Sequence, residues 1–336
     1  DPGGDLKRML LDRDNYYAIT GGHGACRGCG EVTAIRLMMA ASNAKGTKRH
    51  EQQQAELEQL ITDLVAKKET LTSADAERVA RIDTTIGELE MALYLLEGGP
   101  TGKGPAATVI ANSTGCSSVY ASTMPFNPYN DPWVNSLFQD AQALSKGLFE
   151  GLAAQIVPTI RAIRRAKAEV ADAYEPSLEA EDQYLRWQTF TPEELAYLPT
   201  MLTIGGDGAT YDIGFGALSR ILASGSPVKA MILNTGSYSN TGGQASTASY
   251  TAQDSDLART GKAHTGKVES RKELGLISAF HPNVLVVQTA TSMQMHFLRN
   301  AVDVIDYTDG PVVIDVYTPC QTEQGIGDSE SFNRGE

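Results

Sequence analysis

Two sets of residues in this sequence are equipped for chemistry. The first is its four cysteines. Cys26 and Cys29 form a C-x-x-C knuckle within Gly24-Ala25-Cys26-Arg27-Gly28-Cys29-Gly30-Glu31, Cys116 lies in Thr114-Gly115-Cys116-Ser117-Ser118, and Cys320 follows Tyr317-Thr318-Pro319. All four sit beside Gly, Pro or Ser, in turn-like sequence, whereas a structural cysteine sits in an apolar run. Four turn-borne thiols therefore point to a four-thiolate metal site. Zinc and iron–sulfur clusters both use such a set, and the cysteines alone leave the two open.

The second set is Gly206-Asp207-Gly208 together with Asn234-Thr235 at the end of the next apolar run. A hard cation such as Mg²⁺ takes about six oxygens. An Asp carboxylate, a side-chain oxygen from the next strand's end, a backbone carbonyl and two phosphate oxygens supply such a shell. The glycines let the backbone approach a diphosphate, and a following helix start adds N–H donors. A lone Gly-Asp-Gly is a weak signal. With the second half in place, and with Tyr238-Ser239-Asn240-Thr241-Gly242-Gly243-Gln244 behind it, the spacing is that of a thiamine-diphosphate motif.

These residues need a scaffold. Thr108–Asn112 reads as a strand ending at the Cys116 turn. Met201–Ile204, Val228–Leu233, Val284–Gln288 and Val312–Tyr317 read as buried strands. Helices are expected at about Val32–Ala41, Asn135–Ala166 (kinked or restarted at Pro158), Asp212–Ser224 and Met293–Ile305. Strands alternating with helices predict an α/β fold, a mainly parallel sheet with helices on both faces, whose ligands gather at the carboxyl ends of the strands. Between 43 and 103, Leu57, Leu60 and Leu64 and then Val79, Ile82, Ile86, Leu89 and Leu93 recur at steps of three and four. Thr72-Ser73-Ala74-Asp75 between them resembles a capping box. This predicts an antiparallel helical hairpin inserted into a single domain spanning 1–336, with a structural or docking role.

Composition narrows the classes. A formal charge of −13 and a pI near 4.9, without a basic stripe, argue against nucleic-acid or anionic-membrane binding. No apolar run approaches the roughly 18 residues of a membrane span, and Asp1-Pro2-Gly3-Gly4 does not read as a signal peptide. A cytoplasmic setting is the natural expectation, where paired cysteines serve metal or redox chemistry. The first residue is not Met, so a processed chain, a subunit or a fragment is expected.

At this point the sequence resembles a family. The Ala25–Glu31 knuckle, Thr114–Ser118, Asn135–Asp140, Gly205–Gly214 and Tyr238–Gln244 are similar, in that order, to the thiamine-diphosphate domain of pyruvate:ferredoxin oxidoreductase. The likeness covers most of the chain except 43–103 and about 165–195. It implies that Cys26, Cys29, Cys116 and Cys320 hold a [4Fe–4S] cluster. Asp207, Thr235 and the Ser237 carbonyl would bind Mg²⁺. Glu31, Cys116, Gly206, Asp207, Gly208 and Ala209, with Thr235, Gly236, Ser237, Tyr238, Ser239 and Asn240, would line thiamine diphosphate, and Asn240 would face the substrate.

The implied activity is oxidative decarboxylation of a 2-oxoacid, with coenzyme A as acyl acceptor and ferredoxin or flavodoxin as electron acceptor. The resemblance places a thiamine-activating glutamate and a 2-oxoacid-binding arginine in another domain. This chain is thus expected to work as one part of an oligomeric or multi-domain enzyme and to be inactive alone. It departs from the pattern at Asn234, Gly236 and Ser237, where Asp-Thr-Glu-Val is usual across 234–237. The rival readings are a non-oxidative thiamine decarboxylase or synthase subunit, a structural zinc site, and a non-catalytic assembly subunit. Ser117 and Ser118 are candidates for tuning the cluster. His23 is a candidate neighbour of the knuckle, though a plain turn residue fits it better, and His264 sits in a Gly- and Lys-bearing loop.

Overall fold

The computed structural model describes residues 7, 10, 11, 13, 16, 18, 19, 21–122, 126–255 and 266–327; the loop carrying His264 lies outside them. The chain divides into two compact units, Asp1–Lys45 with Thr108–Leu148 and Thr200–Glu336, and Gly46–Ala107 with Phe149–Pro199. The hairpin expected over 43–103 falls in the second unit, which also takes in 149–199. Among the described residues no helix is long and apolar enough to cross a membrane.

The first unit is built on six strands: β1 (Thr108–Ser113), β2 (Trp133–Ser136), β3 (Thr200–Gly206), β4 (Lys229–Asn234), β5 (Leu285–Ala290) and β6 (Val312–Tyr317). They form one sheet in the order β2-β1-β3-β4-β6-β5, and every pairing is parallel. β3, β4 and β6 are buried along almost their whole length, as continuous Val, Ile, Leu and Met runs are when both sheet faces are covered.

The helices are α1 (Gly30–Glu69), α2 (Ala76–Glu97), α3 (Cys116–Tyr120), α4 (Ala141–Val170), α5 (Pro176–Asp182), α6 (Pro192–Leu195), α7 (Asp207–Thr210), α8 (Phe215–Leu222), α9 (Leu274–Ala279) and α10 (Gln294–Asp306). Ile35 and Met38 of α1 and Phe297 and Val304 of α10 pack in one core with Ile110, Leu202, Met231 and Ile314 of the strands.

Register does the positioning. Asn112 pairs with Asn135 and Ile204, Gly206 with Leu233, and Asn234 with Tyr317, so the carboxyl ends of β2, β1, β3, β4 and β6 lie along one edge. The chain leaves β1 for β2 on one side and for β3 and β4 on the other. That change of direction is the switch point at which open parallel sheets bind ligands.

Five strands stand where the apolar runs predict them. β2 was not expected: Trp133–Ser136 is short and partly exposed, and it is held by pairing with β1, where the Asn112 amide donates to Asn135 Oδ1 at 2.9 Å. The helix expected from Asn135 accordingly starts at Ala141, and it runs through Pro158, with Ile160 and Ile163 buried beyond it. The helix expected over Asp212–Ser224 is α8, which starts at Phe215, and the short α7 precedes it. α8 follows Gly214, whose backbone lies so close to the Ala209 carbonyl that a Cβ would sit 1.8 Å from its oxygen. α1 does not stop near Ala41, because the Lys, Gln, Glu and Ala that follow are good helix formers without a proline.

In the second unit, α1 and α2 are the hairpin arms, joined by the expected capping box. Thr72 Oγ1 accepts from Ala74 N–H, and the Asp75 carboxylate accepts from Thr72 N–H at 3.0 Å. Leu57, Leu64, Ile82 and Leu89 of the arms share a core with Ile160 and Ile163 of α4. Glu169, fully buried at the end of α4, accepts from Arg78 Nε at 2.8 Å and Arg81 Nε at 2.5 Å, both from α2. Removing the carboxylate takes a partner from both arginines, of which Arg78 keeps Asp172, and both are partly exposed, so the cost falls below the roughly 3–5 kcal/mol of a fully buried pair. Glu169→Ala should therefore lower the unfolding free energy, read as a lower urea midpoint of the helical signal, and an unchanged midpoint would show that the pair is incidental.

Candidate functional site

Asp207 begins α7 directly after β3 and is 3% exposed. Its Oδ1 accepts the Thr235 N–H at 3.1 Å and its Oδ2 accepts the Ser246 hydroxyl at 2.9 Å. Both donors are neutral. Burial dominates, and the charges of Asp315 and Glu31 add to it, so the carboxyl is pushed up to about 8. A buried carboxylate with this inventory is short of a cation, which is the fit expected of a metal ligand. The next strand supplies the rest of the expected set. Thr235 Oγ1 donates to the Ser237 carbonyl at 2.9 Å and accepts from Ser239 at 2.6 Å. Of the three Mg²⁺ ligands named from the sequence, Thr235 and Ser237 thus occupy one turn, tied to Asp207 by the Thr235 N–H and closed by Gly236 at φ +71°, where a Cβ would be strained.

Asn234 stands where the resembling pattern has an aspartate, and the structure gives the reason. Its amide donates to Asp315 Oδ1 at 3.1 Å and to the Tyr211 hydroxyl at 3.0 Å, and Tyr211 in turn donates to Asp315 Oδ2 at 2.7 Å. A carboxylate at 234 would face that of Asp315 with no proton between them. Asn234 Oδ1 also accepts the Gly236 N–H at 3.1 Å, which fixes the turn after β4.

Glu31, in the first turn of α1, is 6% exposed and accepts the Tyr120 hydroxyl at 2.9 Å; burial raises its pKa to about 7. Glu31, Cys116, Gly206, Asp207, Gly208, Ala209, Thr235, Ser237, Tyr238, Ser239 and Asn240 line a single cavity of about 280 Å³, with Phe138 and Ile213 among its apolar lining residues. Of the cofactor residues named from the sequence, Gly236 alone is not among its lining residues and borders a neighbouring polar cavity instead. Gly208 lets Tyr238 close on the turn, since a Cβ there would lie 3.3 Å from the ring.

A third cavity, of about 240 Å³, is lined by all four cysteines. It shares Glu31, Cys116, Thr235, Ser239 and Asn240 with the first. The knuckle and the Cys320 loop meet at Gly30, whose N–H donates to the Pro319 carbonyl at 3.3 Å; a Cβ on Gly30 would lie 2.7 Å from that oxygen. Burial and then the charge of Glu31 hold the Cys29 thiol up at about 12 and push Cys116 higher still, with the other three sulfurs adding to the effect at Cys116. Cys29 and Cys116 are therefore protonated in the free chain, and a metal bound by them would release their protons. Among the described residues no group of three His, Cys, Asp or Glu is closed into a metal-holding set. The sulfurs face one cavity without being drawn together.

Two expectations fall away. Ser117 donates to Asn112 Oδ1 at 2.7 Å, and Ser118 donates to the Gly115 carbonyl at 2.8 Å, so both hydroxyls are spent on their own turn rather than on a sulfur. The hydroxyl that the sequence placed only on the cofactor side, Ser239, donates to Thr235 and also lines the cysteine cavity with Cys320, so it stands between the turn after β4 and the cysteines. His23 is an exposed turn residue with its ring 5.9 Å from Phe126. Sequence reasoning missed Tyr211, Ser246, Asp315 and Lys267. Asp315 lies in the middle of β6, where an acidic residue in an apolar run was the available signal.

A parallel sheet whose carboxyl edge gathers a Gly-Asp-Gly turn and an Asn-Thr turn around one cavity defines a thiamine-diphosphate-binding domain. Comparison with known proteins agrees: residues 195–316 match the family described as thiamine pyrophosphate enzyme, C-terminal TPP binding domain. The chain is 32% identical over 251 residues to pyruvate:ferredoxin oxidoreductase of Moorella thermoacetica, covering 63% of this chain and 21% of that protein. It is 31% identical over 265 residues to pyruvate-flavodoxin oxidoreductase of a Nostoc species, covering 68% and 22%. It is 27% identical over 223 residues to pyruvate synthase subunit PorB of Thermotoga maritima, covering 66% and 59%. The aligned stretch thus amounts to about a fifth of the two longer relatives' length. The chain is a relative of these enzymes, and the likeness includes a thiamine-diphosphate-binding domain.

Because Asp207 and Glu31 bind their protons more tightly folded than unfolded, their contribution to stability is complete below about pH 4 and is lost as pH rises through 7 to 8. Without cofactor, the melting temperature of the wild-type chain relative to Asp207→Asn should fall between about pH 5 and pH 8. A difference that is flat or rises over that range would contradict the burial assigned to this carboxyl.

Proposed function

We propose that this chain is the cofactor-binding part of an enzyme that oxidatively decarboxylates a 2-oxoacid, most simply pyruvate, to acyl-coenzyme A and CO₂, with the electrons leaving to ferredoxin or flavodoxin. The observation that carries this reading is the shared wall between the cavity of the Gly-Asp-Gly turn and the cavity of the four cysteines. A non-oxidative thiamine enzyme has no use for a four-thiolate pocket there.

When bound, thiamine diphosphate supplies an electron sink for loss of CO₂, and a [4Fe–4S] cluster takes the electrons one at a time. The rest falls to the residues. Asp207, Thr235 Oγ1 and the Ser237 carbonyl hold Mg²⁺, and Gly206, Gly208 and Ala209 let the backbone approach the diphosphate. Cys26, Cys29, Cys116 and Cys320 hold the cluster, and Cys116 also forms part of the cofactor cavity wall. Glu31 lies buried between the two cavities and keeps water out of the partition. Asn240, exposed at the tip of its turn and bordering both cavities, faces the 2-oxoacid. The partner domains or subunits supply the thiamine-activating carboxylate and the coenzyme A site.

Purified without oxygen, the chain should be brown, contain iron and acid-labile sulfide in equal amounts, and bind Mg²⁺ with thiamine diphosphate in calorimetry. Zinc in place of iron, or no thiamine diphosphate binding, would overturn the proposal. Alone it should not reduce viologen with a 2-oxoacid. Gly30→Ala should part the knuckle from the Cys320 loop, lowering iron content several-fold while thiamine diphosphate binding survives. Equal iron in the variant would show that the Gly30–Pro319 contact does not hold the cysteines together.

A further inference from the structure

A buried lysine lies one turn behind the metal-binding residues. Lys267 is 6% exposed, and its ammonium donates to the backbone carbonyls of Ser246 and Ser249, both at 2.8 Å. Its backbone is fixed as well: the Ala252 N–H donates to its carbonyl at 2.7 Å, and its own N–H donates to the Gln253 carbonyl at 2.9 Å. No carboxylate touches the ammonium among the contacts described. Its partners are carbonyl oxygens, as they would be for a bound monovalent cation.

The two carbonyls it gathers belong to a turn that touches the metal set at both ends. Within the turn, Ser249 Oγ accepts the Ser246 N–H at 2.9 Å. At one end the Ser246 hydroxyl donates to Asp207 Oδ2 at 2.9 Å. At the other, Ser249 Oγ and Gln253 Nε2 donate to the Gly236 carbonyl at 2.6 and 2.8 Å, directly between Thr235 and Ser237. Neither serine could hold these directions if the 246–249 backbone were free to swing, and the Lys267 ammonium bridges its two carbonyls.

We infer that Lys267 is an internal cation that presets the Mg²⁺ turn, acting through Ser246 on Asp207 and through Ser249 on Gly236. Both are positioning residues, and the inference rests on the thiamine diphosphate and Mg²⁺ reading proposed above. Groups that orient a metal ligand typically change metal affinity by 10- to 100-fold when removed.

The test is Mn²⁺ binding to the whole chain in the presence of thiamine diphosphate, read from the electron paramagnetic resonance of free Mn²⁺, with the melting temperature of the cofactor-free chain measured alongside. Ser246→Ala and Lys267→Ala should each weaken Mn²⁺ about 10- to 100-fold. n-Propylammonium should restore part of the loss in Lys267→Ala and none in Ser246→Ala, a split that general loosening of the fold would not produce. Should Lys267→Ala fail to fold, Ser246→Ala, which removes a single hydroxyl, decides alone. Mn²⁺ affinity of Ser246→Ala within twofold of wild type would overturn the inference while leaving the thiamine reading intact. Wild-type protein that binds no Mn²⁺ with thiamine diphosphate would overturn both.

Discussion

A carboxylate taken out of water and given only neutral hydrogen-bond donors holds its proton until a cation arrives, and Asp207 is such a group. The surrounding geometry follows from keeping it that way. β3 delivers it to the sheet edge, the Thr235 N–H and the Ser246 hydroxyl fix its two oxygens, and the turn after β4 brings a hydroxyl and a carbonyl alongside. The same constraint explains the residue at 234. With Asp315 already buried beneath the turn, a further acid would add repulsion, and an amide that bridges Asp315 and Tyr211 holds the turn instead.

The second organising feature is economy of distance. The turns after β1 and β4 and the start of α1 each line both the Asp207 cavity and the cysteine cavity, and the turn after β6 closes the cysteine cavity. Ser239 donates to Thr235 on one side and lines the cysteine cavity on the other. The absence of a side chain at Gly30 allows the knuckle to rest on Pro319, which brings sulfurs from opposite ends of the sequence to one place. An electron donor and an electron acceptor held in these two cavities would be separated by side chains and not by a layer of secondary structure.

Much of this was legible in the sequence, and the exceptions have physical causes. The five buried strands announce themselves as apolar runs, and the Gly-Asp-Gly and C-x-x-C turns by residue type and spacing. β2 was hidden because a four-residue, half-exposed strand gains its stability from a neighbour and not from its own composition. The length of α1 is hidden because its apolar stretch gives way to charged residues near Ala41, although the backbone has no reason to stop there without a proline or a capping residue. Ser246 and Lys267 were invisible for a different reason: a hydroxyl and an ammonium in a polar loop carry no pattern, and their role arises only when folding sets them behind Asp207. The hairpin sequence gave no hint that 149–199 joins it in one unit, since the arms look amphipathic enough to pair on their own.

The central claim is that the four sulfurs and the Asp207 turn face each other across one thin wall. Its most direct measurement is magnetic. With the anaerobically assembled cluster reduced, its electron paramagnetic resonance signal should relax markedly faster when Mn²⁺ replaces Mg²⁺ alongside thiamine diphosphate, because a paramagnetic ion at Asp207 would lie close to the iron. Identical power saturation with the two ions, in protein shown to bind both, would place the metals far apart and contradict the account.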